Sequence, residues 1–276
     1  DPRALRADPL RRRRTFGALV EELKAATTLA IAELRSLAAL ESGFFSSPAF
    51  HRAVDDRAPL ALAYGGFLLG LCEQGHLRAP AVADVIRFEL MQARARREAG
   101  PIEKRTAARA VRLAPGCVFG RFGADVLACV QAAEKYLFEL SLLPQMALAD
   151  DAPRPVLPDR PASLGTVAML AVPVDPGLSV VTLDEELAAV IEPLADNAPL
   201  DRRVLVAQAG AAIGRARAAE IVAELLEDEI LEGLATGEKV ITAGVLKVRD
   251  GAPVQPIDPN APPPAPVANS NAPKTG

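Results

Sequence analysis

The chain is poor in the residues from which active sites are built: its 276 residues include two histidines and three cysteines. A nucleophile needs a base, and at neutral pH that base is most often histidine. His51, in FHRAVDD, and His76, in the turn EQGHLRAP, stand in no nucleophile-elbow or papain-like pattern. Both read as surface or capping residues. Cys72, Cys117 and Cys129 are odd in number and widely spaced. They form neither a disulfide framework nor a CxxC pair, and read as small buried hydrophobes of a reducing compartment. The helical metal signatures HxxxH and HExxH are absent. Gly65-Gly66-xxx-Gly70 lies inside an apolar run rather than between a strand and a helix, so nothing marks a phosphate loop.

Positive charge is also not in excess, with 31 Lys and Arg against 35 Asp and Glu. The net charge of −4 and pI near 5.4 argue against a general nucleic-acid surface, which needs clustered excess Lys and Arg. The basic run Arg11 to Arg14 reads as a solvated helix lead-in or a disordered terminus. The strongest apolar run, Leu60 to Cys72, is broken by glycines and too short for a bilayer of about 30 Å. No signal peptide is read, and the cytoplasm is the expected compartment.

What the chain does have is apolar content, half of all residues, enough for a proper core. From Thr15 to about Leu40, Phe16, Leu19, Val20, Leu23, Leu29 and Leu34 recur at helical spacing, which predicts one long amphipathic helix with Gly43 as its C-terminal glycine. Ser47-Pro48 predicts an N-cap and a short helix to about Val54. Leu60 to Leu71 is apolar on nearly all sides, as in a central helix. Ala79-Pro80 opens another that reaches Glu98 before Gly100-Pro101. Beyond Ala110 the texture is extended around Pro115-Gly116. A proline-rich surface loop follows at 150–162, then two strands at Thr166–Val172 and Leu178–Leu183. Helices are predicted from Asp184, from Leu200 and over Arg215–Leu234, and a last strand over Ile241–Val248. The Pro/Ala tail, 250–276, has too little bulky apolar content to order.

The reading is therefore α+β, mainly α: a lead-in (1–14), a helical bundle (15–110), a winged-helix-like domain with a small sheet (111–249) and a tail. With no site for chemistry, binding remains. A sheet with an open edge accepts an extended peptide as another strand, and a neighbouring helix supplies selectivity. Leu178, Val180 and Thr182 of the second strand with Arg215, Arg217, Ile221 and Leu225 of the last helix are the expected peptide groove. Ile221, Val222, Leu225 and Leu226 also fit a plain core face.

Segments FGALVEELKAATTLAIAEL (16–34), GFFSSPAF (43–50), APLALAYGGFLLGL (58–71) and ADVIRFELMQARA (83–95) carry a family likeness, with FF, YGxFL and DxxRxE (Asp84, Arg87, Glu89) as the aligned features. VRLAPGCVFGRF (111–122), the strand pair and AEIVAELLEDEILEGL (219–234) continue it. The chain resembles the partner proteins of multinuclear non-haem iron-dependent oxidative enzymes, which include the partner subunit of methanobactin oxidase and proteins carrying a DNA-binding-domain label. The resemblance implies a helical domain that docks on the iron oxidase through Phe44, Phe45, Tyr64 and Arg87. It also implies a second domain that captures the leader of a ribosomally made precursor peptide, with no cofactor in this chain and the irons in the partner. The chain departs from that pattern in having no tryptophan and in carrying Ala114-Pro115 where the family has a His-Pro pair.

Two other readings stand beside this one. A winged-helix transcriptional regulator would read DNA with Arg215–Leu234, but only Arg215 and Arg217 precede the acidic Glu220, Glu224, Glu227, Asp228 and Glu229. An enzyme with an all-carboxylate metal site would draw on acidic clusters such as Asp55-Asp56 and Glu227-Asp228-Glu229, which more often are solvated faces.

Overall fold

The computed structural model describes residues 9–101, 109–142, 154–158 and 165–234. They belong to a compact unit that runs to Thr236. The predicted strand 241–248 and the tail lie outside the described residues. The described chain is mainly helical, with two small antiparallel sheets; among its described helices none is long and apolar enough to cross a membrane.

The single long helix expected over 15–40 is broken twice. It forms α1 (Pro9–Glu22), α2 (Lys24–Leu34) and the start of α3 (Leu37–Ser46). The first break falls at Leu23 (φ −114°, ψ 60°), where the amides of Ala25 and Ala26 turn from the preceding carbonyls to the two carboxylate oxygens of Glu89, both at 2.9 Å. A remote acid thus replaces the first carbonyls of a helix that starts inside the core. At the second, Arg35 adopts the left-handed conformation (φ 56°) and Ser36 caps α3, its Oγ accepting from the amide of Ala39. Gly43 lies within α3 rather than ending it, where a Cβ would stand 3.3 Å from the Phe67 ring.

Ser47 caps α4 (Pro48–Asp55) as its Ser-Pro signature predicts. Helices α5 (Leu60–Glu73) and α6 (Pro80–Glu98) follow. They approach closely because Gly65 has no side chain: a Cβ there would meet Leu90 at 2.3 Å. The core they share is aromatic. Phe44 is ringed by Phe45, Phe50, Tyr64 and Phe67 at centroid distances of 5.5, 5.5, 5.1 and 5.7 Å, mostly edge to face or tilted. Arg12 of the basic lead-in lies over the Phe45 ring at 5.0 Å, so that part of the run joins α1 and covers the core.

The remaining elements are β1 (Ala110–Leu113), β2 (Val118–Phe122), α7 (Val126–Leu142), β3 (Val167–Pro173), β4 (Leu178–Leu183), α8 (Glu185–Ile191), β5 (Leu200–Asp201), α9 (Arg202–Ile213), α10 (Arg215–Glu227) and β6 (Leu231–Leu234). One sheet has the order β2-β3-β4, the other β5-β1-β6. The last predicted helix therefore ends at Glu227, and 231–234 is a strand. Its Glu232 stands opposite Arg112 of β1 and accepts both Nε and a terminal nitrogen at 2.8 and 2.7 Å, a cross-strand pair bridging distant parts of the sequence. The proline-rich loop is described only at 154–158, where the chain is neither helix nor strand and Leu157 packs on the helical core.

The helices and the first sheet share a cluster: Phe88, Met91 and Ala95 of α6 pack with Val118, Phe122, Met169 and Ala171. Gly116, in the β1–β2 turn, sits at this seam with φ +85°. A Cβ there would reach the Ala95 carbonyl oxygen at 2.9 Å and Pro173 at 2.5 Å, so only glycine meets both the backbone conformation and the space.

Candidate functional site

The β3–β4 hairpin turns through Val174–Gly177 and pairs Ala171 with Val180 and Leu170 with Val181. Because residues directly opposite in an antiparallel pair share a face, Leu178, Val180 and Thr182 lie on the side of Pro173, Ala171 and Met169. There Leu178 and Val180 pack against the cluster containing Phe88 and Met91 of α6. Ile221 and Leu225 of α10 belong to a different core, with Leu170, Val190, Leu205 and Val111, on the other face of β3. The expected groove residues are thus not brought together. The strand residues that share the α8 and α10 side are Ser179, Val181 and Leu183, one step out of register with the set that periodicity suggested.

What remains open is the edge. Among the described residues β4 has a strand neighbour on one side only, and Val181 and Thr182 are exposed on it. Arg217 is tied down: its Nε donates to Glu186 of α8 at 2.9 Å and a terminal nitrogen to Glu220 at 3.5 Å, and these acids hold its pKa above the usual value. Arg121 of β2 is bound in the same way to Glu192 and Glu185, locking α8 to the sheet.

Arg215 is placed differently. It lines an open cleft of about 740 Å³ with Arg109, Arg202 and Arg203, beside Asp201, Val206 and Ala207. Short β5 builds this site: Asp201 caps α9 by accepting the amide of Arg203 at 2.8 Å, accepts Arg109 Nε at 3.0 Å, and the Arg109 carbonyl accepts the amide of Arg202 at 2.7 Å. The Arg109 guanidinium holds the Asp201 carboxyl below the usual carboxylate range. Sequence reasoning missed Arg109, Arg202 and Arg203, because the pairing of β1 with β5 that gathers them leaves no local signal.

Of the four expected docking residues, Phe44, Phe45 and Tyr64 are core, each 3 % exposed or less, and Tyr64 shares a hydrogen bond of 3.1 Å with Thr27 that closes its hydroxyl inside. Their aromatic rings pack the protein's own interior and are not presented to a partner. Arg87 alone reaches the surface. It donates to Asp84 at 2.9 Å and lines a groove of about 390 Å³ between α6 and the open edge of β2, with Leu90, Met91, Arg94 and Phe119. The other members of DxxRxE are architectural: Asp84 accepts the amides of Gly123 and Ala124 ahead of α7, and Glu89 caps α2. Burial pushes the Glu89 carboxyl up to about 7, against the pull of those two amides.

The thiols of Cys117 and Cys129 are raised by burial to about 11, far from a reactive thiolate. Among the described residues no three His, Cys, Asp or Glu side chains converge as a metal-binding group. Compared with known proteins, the chain matches no family model and no curated protein.

Proposed function

We propose that this chain is a non-catalytic partner protein. In this reading its helical part docks on a multinuclear non-haem iron oxidase, and its sheet and following helices, a winged-helix-like unit, hold the leader of a precursor peptide. The observation that carries the reading is the open edge of β4, a strand whose outer side has no described strand neighbour and whose exposed Val181 and Thr182 lie on its two opposite faces. Such an edge binds an extended peptide through its backbone, with side-chain pockets setting selectivity. Arg87 and the groove beside it, open to solvent on α6, support a docking face on the helical side. A DNA reader is less well supported: Arg217 is engaged by Glu186 and Glu220, and α10 continues with exposed Glu220, Glu224 and Glu227.

The test is co-expression of the full chain with a multinuclear non-haem iron oxidase, followed by hydrogen–deuterium exchange with the leader peptide of a ribosomally made precursor added. Co-elution with the oxidase and slowed exchange across Leu178–Leu183 are expected. A chain that elutes alone and whose β4 amides exchange unchanged would sink the proposal.

A further inference from the structure

We infer that the cleft formed by Arg109, Arg202, Arg203 and Arg215 is an anchoring site for an acidic stretch of polypeptide, whose carboxylates it takes into the arginine forks. This deepens the peptide-binding reading and rests on it.

The charge balance is the first support. Among the described residues the lining holds four arginines and one carboxylate, Asp201, in a chain whose net charge is −4. Asp201 is already used twice, as the cap of α9 and as the partner of Arg109. Arg203 and Arg215 are exposed and form no ion pair with a described carboxylate. Guanidinium forks match carboxylates in a bidentate, directional way, so a cleft with spare forks favours an anionic ligand.

The second support is a glycine. Gly210 lies inside α9, where glycine is less favourable than alanine. A Cβ at that position would stand 2.8 Å from Cγ of Arg215 and 3.0 Å from its Cα. The bare backbone of α9 thus gives passage to the stem of Arg215, whose side chain then lines the cleft with residues from the first two turns of that helix. Arg202, Arg203 and Arg215 come from two helices and Arg109 from the residue before β1. The cluster is therefore assembled by tertiary structure and is not a run of surface charge.

The ligand's class follows from what surrounds the arginines. A duplex carries one phosphate charge for about every 1.7 Å of its axis and needs a long basic track. Among the described residues the basic surface is short: Asp201 stands inside the cleft, and α10 turns acidic at Glu220, Glu224 and Glu227 after its two arginines. A few carboxylates on a flexible peptide fit that extent, and Val206 and Ala207 give the apolar side of such a peptide a surface to lie on.

The experiment measures fluorescence anisotropy of the full chain at low salt with a short labelled glutamate-rich peptide, the same peptide with every glutamate replaced by glutamine, and single-stranded and duplex DNA of similar length. The glutamate peptide is expected to bind, the glutamine peptide at least about ten-fold more weakly. The double variant Arg203→Gln/Arg215→Gln, exposed positions that leave the circular dichroism unchanged, is expected to lose the glutamate peptide by a similar factor. Equal binding of the two peptides, an unchanged affinity in the double variant, or DNA that binds more tightly than the glutamate peptide and is lost in the same variant would each overturn the inference. Failure here is separable from failure of the wider reading. A leader peptide that slows exchange at β4 while ignoring the double variant removes the anchoring site and leaves the partner function. A glutamate peptide held by the cleft in a chain that binds neither oxidase nor leader does the reverse.

Discussion

The two parts of this molecule use their charged and aromatic side chains in opposite ways. In the helical part they turn inward: Phe44, Phe50 and Tyr64 fill the core, and Glu89, from the middle of α6, is spent on the amides of α2. Around the last three helices the core is mainly aliphatic, with Phe119 at its margin, and apart from the buried Glu232 and its partner Arg112 most charged groups stand outside, around an open strand edge and an arginine-lined cleft. Aromatic rings in a family-like motif were therefore a poor guide to contact surface, since a ring such as Phe44, packed against four others, is not free to pack a partner. The surfaces available for recognition are where the polar side chains are left over.

That contrast can be broken in order of size. Replacing Phe44 by alanine removes the centre of the aromatic cluster and is expected to cost about 4 kcal/mol in urea denaturation; a loss below about 1 kcal/mol would mean that the cluster is loosely packed. Next comes pH. The folded Glu89 carboxyl is raised to about 7 from 4.5, chiefly by burial, so the folded state holds its proton more tightly than the unfolded chain. The stability this contributes, on the order of 3 kcal/mol, is fully present below the free carboxyl's pKa and is lost as pH rises through about 7. Denaturation midpoints of wild type and Glu89→Gln across that range should converge in slope only if Glu89 is not the group responsible; the variant is expected to lose this part of the decline. At the small end, Val181→Ala on the β4 edge should change stability by no more than about 0.5 kcal/mol, because Val181 is 42 % exposed. A larger cost would show that this edge is packed against something in the folded chain and is not open.

Much of the fold was legible because local chemistry wrote it. Ser47-Pro48, Ala79-Pro80 and Asp184 mark helix starts where the structure has them, and Leu178–Leu183 is a strand with the boundaries that its β-prone run suggests. Illegible were features decided by residues far away. Nothing near Leu23 announces a break, since the group that stabilises it is Glu89. The strand at Leu231–Leu234 extends an apolar helical pattern, and only its pairing with β1 makes it extended. At the candidate site the expected strand and helix residues fall in different clusters, on opposite faces of β3. Alternation identifies two faces of β4, but which one meets α8 is settled by the partners of β3, on which the local pattern is silent. Arg215 was visible as a basic residue at a helix start, while the three arginines that join it come together only through β1, β5 and the first turn of α9.

Glu89 has a counterpart. Glu33, in the last turn of α2, accepts the amides of Arg78 and Ala79 at 2.7 and 3.1 Å, at the start of α6, while Glu89 of α6 accepts those at the start of α2. Each helix thus closes the beginning of the other, so neither can fray from its first turn without exposing the acid that belongs to its neighbour. In exchange experiments the amides of Ala25, Ala26, Arg78 and Ala79 should open as one kinetic unit, and the two helices should behave as a single latch, although acid and amides lie 45 and 46 residues apart in one clasp and 64 and 63 in the other.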